Sequence, residues 1–227
     1  MTTLHHSPDF ALAHLIHHPQ PARPTALVLL LHGVGGSETN LLAMAAAIAA
    51  QQPDALVVLP RGPLALGPGQ FAWFRVAFTA SGPRIDAAEA DSSRLALLAF
   101  IDQLQQAHGI APQRTVVAGF SQGGILSASV GLTAPERVAG FGILSGRILP
   151  ELEPHLAKPA QRTQLQAFVG HGDFDSKLPV VWAERSDQLL TALGVAYQSH
   201  RYPIDHGISA AMQSDFLAWL QTVLPTP

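Results

Sequence analysis

Six short apolar runs, each closed by turn residues and separated from the next by a longer segment, leave this chain few folds to choose from. The runs lie at 26–31, 55–59, 115–119, 138–144, 164–169 and 196–202. Between them, helical character appears at 40–51, 86–108, 122–132, 180–193 and 208–220. An uninterrupted run such as ALVLLL suits a strand covered on both faces, the signature of a parallel sheet. Strand, helix and strand repeated in this way mean right-handed crossovers with helices on both sides of the sheet. The expected architecture is α/β in three layers around a mostly parallel central sheet. With 227 residues and no low-complexity linker, the chain reads as one domain over 1–227. A proline-rich stretch at 17–24 precedes the central strands and joins them to an N-terminal strand or hairpin around 10–16.

The composition removes several classes of function. A net charge of −3, with Lys and Arg scattered, gives no electrostatic footprint for nucleic acid or an anionic membrane. The absence of cysteine rules out disulfides, thiolate chemistry and Cys-ligated zinc, and fits a cytoplasmic protein. The first ten residues, MTTLHHSPDF, lack a basic region followed by an apolar stretch, so a cleaved signal is not expected. ALVLLL is far too short to span a bilayer. His5, His6, His14, His17 and His18 are not backed by carboxylates at ligand spacing, so neither a metal nor another cofactor is expected. Oligomeric state is left open, a homodimer included.

In sheets of this kind ligands collect at the carboxyl ends of the strands, so the residues following each apolar run carry the functional signal. After TVVA comes Gly119-Phe120-Ser121-Gln122-Gly123, followed at once by a helix-prone segment. G-x-S-x-G in that setting is the nucleophile elbow of α/β hydrolases, a tight strand-to-helix turn that exposes the serine hydroxyl. The turn also puts the hydroxyl at a helix N-terminus, where unpaired N–H groups favour developing negative charge. Serine needs a base, and the base needs an acid to hold its tautomer, in the chain order Ser, Asp or Glu, His. His200 lies inside the last strand, His155 in a polar stretch, and His171 ahead of any good carboxylate. His206, in the loop PIDHG between the last strand and the last helix, is the expected base. For the acid, the loop HGDFDSKLP offers Asp173 and Asp175, while Glu184 and Asp187 fall in the next helix and are expected to face solvent.

His32-Gly33-Val34-Gly35-Gly36 follows the first central strand, and its glycines allow close backbone approach. The amides of Val34 and Gln122 are the expected oxyanion donors. The segment 60–78 is rich in glycine, proline and aromatics and reads as a long ordered loop, in which Trp73 and Phe74 are candidate walls of an apolar acyl pocket.

Taken together, LHGVGG, PRGP with AWF, GFSQGG, LSG, HGDFD with a later proline, and DHGIS resemble the phospholipase/carboxylesterase family of α/β hydrolases, which includes acyl-protein thioesterases. The resemblance runs from Leu31 to Ser209 and implies an α/β-hydrolase fold without a large cap, no metal, and a Ser-Asp-His triad. The family's loop, H-G-x-x-D-x-x-V-P, sets its aspartate on Asp175, with Leu178 in place of the valine; Asp173 is then expected to bond loop amides. Many thioesterase members carry leucine after the HG and an aspartate soon after, where this chain has Val34 and Gly36-Ser37. Phe74-Arg75 is more similar to a bacterial esterase branch. The expected activity is hydrolysis of small or medium acyl carboxylic esters through an acyl-enzyme. A protein thioesterase, a lysophospholipase-like acyl hydrolase, acyl transfer to another acceptor, and a non-catalytic binding scaffold are the alternatives.

Overall fold

The computed structural model describes residues 2–5, 10–17, 23–79 and 82–225. In chain order the strands are β1 (Thr2–His5), β2 (His14–His17), β3 (Ala26–Leu31), β4 (Ala55–Pro60), β5 (Leu64–Gly67), β6 (Gln70–Ala72), β7 (Val76–Thr79), β8 (Gly82–Ile85), β9 (Thr115–Phe120), β10 (Gly140–Leu144), β11 (Gln166–Gly172) and β12 (Ala196–Tyr202). The α-helices are α1 (Leu42–Gln51), α2 (Ala87–His108), α3 (Gln122–Thr133), α4 (Val181–Leu193) and α5 (Ala210–Val223).

Among the described residues, eight strands form one sheet in the order β1-β2-β4-β3-β9-β10-β11-β12. The pairs from β4 to β12 are parallel, and β1 and β2 add an antiparallel edge. The apolar runs are continuous because both faces are covered. In β3, Leu27, Leu29 and Leu31 pack into the core with α2, α3 and α4, whereas Ala26, Val28 and Leu30 pack into a second core with α1 and α5. A strand's side chains alternate in direction, so six apolar residues in a row feed two cores at once. Each buried leucine contributes about 1.5–3 kcal/mol relative to exposure. The helix limits follow from local chemistry. Asp86 accepts from Glu89 N–H at 3.1 Å to open α2, Gly109 closes it at φ +66°, and Ser209 opens α5 by accepting from Met212 N–H. Among the described residues, no helix is long and apolar enough to cross a membrane.

Three segments differ from expectation. The N-terminal strand is the second arm of a β1–β2 hairpin, and Phe10 lies outside it, packed on the core. The segment 60–78 is not a loop: β5 pairs antiparallel with β6, and β7, which begins inside that stretch, pairs antiparallel with β8 beyond it. β11 continues through His171 and Gly172, which pair with Arg201 and Tyr202 of β12.

Candidate active site

At the carboxyl edge of the sheet the chain leaves β9 and enters α3 within one residue. Ser121 makes that turn at φ +54°, ψ −114°. It is one of two non-glycine residues with positive φ among the described residues, the other being Ser145. A conformation this sparsely populated costs on the order of 1–3 kcal/mol and persists only where its surroundings fix it. Here Ser121 N–H donates to the Leu144 carbonyl at 2.9 Å, and the Ser121 carbonyl accepts from Ile125 N–H at 3.0 Å. The flanking glycines are steric necessities. A Cβ on Gly119 would lie 2.3 Å from the Gly123 carbonyl carbon, and one on Gly123 would lie 2.1 Å from the Leu31 carbonyl oxygen.

The loop after β12 brings His206 over this turn. Its Nε2 lies 3.0 Å from Ser121 Oγ and its Nδ1 2.7 Å from Asp175 Oδ2. Phe120 packs against the imidazole with ring centroids 4.9 Å apart. The Asp175 carboxylate is buried, and its other oxygen accepts the amides of Lys177 and Leu178 at 2.9 and 2.7 Å. That carboxylate is oriented before any substrate arrives. Asp173 is exposed and does not take the loop-binding role expected of it. That role falls to Asp205, whose Oδ1 accepts the amides of Ser176 and His206, both at 2.7 Å. These hydrogen bonds hold the Asp205 carboxyl below the usual carboxylate range and tie the Asp175 loop to the His206 loop. Asp187 is not turned to solvent either, since it pairs with Arg201 at 2.6 Å.

A buried histidine stands beside Asp175. His171 Nε2 donates to the Leu178 carbonyl at 2.7 Å and lies 3.3 Å from Asp175 Oδ2. Its Nδ1 is buried without a hydrogen-bond partner among the described residues, and burial lowers its pKa. His171 is thus a neutral prop for the loop that carries Asp175.

The glycine-rich loop after β3 is clamped from both sides. Gly35 N–H donates to the Phe71 carbonyl and Phe71 N–H to the Gly36 carbonyl, both at 2.8 Å, while Gly36 N–H donates to Gly33. Glu38 takes both arms of Arg61, whose guanidinium also covers Phe71. With the Gly35 and Gly36 amides committed, Val34 is left facing the cleft opposite Gln122, the first residue of α3, whose amide has no acceptor within its own helix. Below the loop, His32 donates from Nδ1 to the Gly33 carbonyl at 2.7 Å and accepts Gly62 N–H on Nε2 at 2.9 Å. Burial lowers its pKa as well, so it serves as a neutral bracket.

The cleft over Ser121 encloses about 400 Å³ and is largely apolar, with Phe74, Val76, Ile85, Phe120, Ile125 and Leu178 on its walls. Phe74 borders it. Trp73 does not: its indole is turned into the core, where its buried Nε1–H finds an acceptor in the His32 carbonyl at 2.9 Å. The Gln122 side chain, which the sequence reading did not single out, accepts Trp73 N–H and donates to the Phe74 carbonyl, fastening the β6–β7 connection to the nucleophile turn. Arg147 also borders the cleft and was not foreseen. The LSG motif immediately before it was the available signal.

This arrangement can pass a proton from a serine hydroxyl to an imidazole held by a carboxylate, beside the backbone amides of Val34 and Gln122. The sequence matches the phospholipase/carboxylesterase family over residues 14–224. An acyl-protein thioesterase 1 of Mycosarcoma maydis is 29% identical, over 89% of this chain and 93% of that protein. The thioesterase 1 of Cryptococcus neoformans is 30% identical over 79% of this chain and 78% of its own. Among solved structures, esterase PE8 superposes with a TM-score of 0.81 at 26% identity, covering 92% of this chain and 97% of its own. The Mesorhizobium loti carboxylesterase shares the fold, with a TM-score of 0.79 at 22% identity over 96% and 98% of the two chains. The chain belongs to the phospholipase/carboxylesterase family of α/β hydrolases.

Proposed function

We propose that this serine hydrolase cleaves small and medium acyl carboxylic esters, with Ser121 as nucleophile, His206 as base and Asp175 as the acid that orients it. Ser121 Oγ attacks the ester carbonyl carbon while His206 Nε2 takes its proton. The carbonyl oxygen, now negative, is bound by the amides of Val34 and Gln122. Collapse of this intermediate breaks the bond to the alcohol oxygen, which leaves with the proton from His206, and the acyl group stays on Ser121. Water then attacks the acyl carbon as His206 takes its proton; the bond to Ser121 Oγ breaks, Oγ takes that proton back from His206, and the carboxylic acid leaves. The observation that carries the reading is the hydrogen-bonded line from Ser121 Oγ through His206 to Asp175, at 3.0 and 2.7 Å, on the floor of an apolar cleft. The test is turnover of p-nitrophenyl acetate and butyrate together with fluorophosphonate labelling. Ser121→Ala should abolish labelling and lower kcat by about 10⁶. Labelling retained in that variant would place the nucleophile elsewhere.

A second reading, thioester hydrolysis, is favoured by the curated relatives named acyl-protein thioesterases. Val34 in place of the leucine and Gly36-Ser37 in place of the aspartate support the carboxylic ester instead. Comparing kcat/KM for butyryl thioesters, palmitoylated peptides and p-nitrophenyl butyrate distinguishes the two.

A further inference from the structure

Arg147 occupies an unusual position for a cation. β10 ends at Leu144, and Ser145 turns the chain at φ +50°, held by its own amide on Gly170 and its hydroxyl on Gly207, both at 2.8 Å. Gly146 then packs so close to the nucleophile turn that a Cβ there would lie 3.0 Å from the Ser121 carbonyl oxygen. The strained turn delivers the next side chain, Arg147, back into the cleft that holds Ser121 and His206. Strain of this kind gathers where a side chain must be aimed.

The Arg147 residue is only 7% exposed. Its Cζ lies over the ring of Trp182 in α4, 4.2 Å from the centroid, and Arg185 covers the same indole at 4.7 Å. A cation held over a ring in this way uses none of its N–H donors in hydrogen bonds. Nε is buried without a hydrogen-bond partner, and among the described residues Arg147 makes no hydrogen bond and no ion pair. Glu151 acts on it only at longer range, opposed by Arg185. A desolvated cation with unmatched donors is costly, and an apolar side chain would cover Trp182 without that cost. Lys177, exposed on the same rim, adds a second positive charge to this largely apolar cleft.

Resting on the esterase reading above, we propose that Arg147 forms an anion subsite within the active-site cleft, so that the preferred ester carries a carboxylate or phosphate on the part lying toward Arg147 and Lys177. The guanidinium presents paired N–H donors suited to the two oxygens of either group.

The test compares isosteric esters by pH-stat: monomethyl glutarate against methyl valerate for an acyl-side carboxylate, O-butyryl glycolate against ethyl butyrate for an alcohol-side one, and 2-butyryloxyethyl phosphate against butyl butyrate for a phosphate. At least one anionic ester should exceed its neutral partner in kcat/KM by about tenfold or more, the size of one charge-assisted hydrogen bond. Arg147→Gln should erase that ratio and Arg147→Lys retain part of it. Equal losses on both members of a pair would reduce Arg147 to packing on Trp182, and the absence of any anionic preference in the native enzyme would overturn the subsite. Turnover of methyl valerate reports on the esterase reading by itself. Calorimetric binding of glutarate and inorganic phosphate to the native chain reports on the subsite whether or not that ester is cleaved or the variants fold; no binding of either anion would also overturn it.

Discussion

Replacing Asp175 with asparagine changes one atom, and the structure dictates which way the new amide must lie. Oδ1 of Asp175 accepts the amides of Lys177 and Leu178, and an N–H cannot take its place there without facing two donors. The asparagine oxygen therefore keeps that side, and the NH₂ group falls where Oδ2 now stands, 2.7 Å from His206 Nδ1. An NH₂ can only donate, so Nδ1 must become the acceptor and the imidazole proton moves to Nε2. Nε2 then points a hydrogen at Ser121 Oγ and cannot take the serine's proton. The expected loss is about 10⁴ in kcat, roughly 5.5 kcal/mol of transition-state stabilisation. The same NH₂ would face the Nε2–H of His171, 3.3 Å from Oδ2, so a fall in stability should accompany the loss of rate. Rates on p-nitrophenyl butyrate, taken where thermal melts show both proteins folded, separate the two effects. Asp173→Asn is the control, since that side chain is exposed, and it should leave the rate essentially unchanged. An Asp175→Asn enzyme with more than a small fraction of native activity, or an equal loss at Asp173, would refute the tautomer argument and the choice of acid.

Three further expectations follow from the groups around the site. His32 and His171 are held neutral with lowered pKa values, so between the ordinary histidine value near 6.5 and their folded values the unfolded chain binds more protons. Stability should therefore fall with pH from about 7 toward 5, and His171→Gln should flatten the slope of urea midpoint against pH; an unchanged slope would show that His171 does not contribute. For the cleft, Val76→Trp should narrow the acyl side and cut the octanoate-to-acetate ratio of kcat/KM by about tenfold or more, as each excluded methylene forfeits about 0.8 kcal/mol. Trp73→Ala should instead destabilise the fold by about 3–5 kcal/mol while leaving the chain-length profile of the folded fraction alone.

What the sequence made legible is what depends on periodicity and on local turn chemistry. β3 and β12 fall where their apolar or alternating runs put them, and α2 and α5 begin at Asp86 and Ser209, residues that can cap a helix with their own side chains. The elbow was visible because both glycines are forced by backbone contacts within five residues of chain and the neighbouring strand. Where the reading failed, a glycine or proline acted through long-range packing. Gly170 and Gly172 look like a strand end, yet β11 runs through them: a Cβ on Gly170 would lie 2.9 Å from Met212 of α5, and one on Gly172 would lie 2.4 Å from the Ile204 carbonyl oxygen. Within 60–78, Pro68 and Gly69 mark the turn between β5 and β6, short strands with too few residues to display alternation.

The same distinction separates the site residues. Ser121 and His206 could be placed from chain order, since each sits at the end of an element whose position the sequence already announces, whereas the loop alone left Asp173 and Asp175 open and only the resemblance to the family's loop pointed to Asp175. Trp73 and Arg147 could not. Trp73 and Phe74 are adjacent and both aromatic, and only the acceptor on His32, supplied from 41 residues away, decides which of the two faces the cleft. Arg147 reaches the cleft because Ser145 is bent by contacts with Gly170 and Gly207, one on the neighbouring strand and one in the base's own loop. The loop that positions His206 therefore also helps to aim the cation, through Ser145. If the ester does carry an anion, the machinery for breaking its bond and the group that recognises it are fixed by one set of backbone contacts, and substitutions at Ser145 should disturb both together.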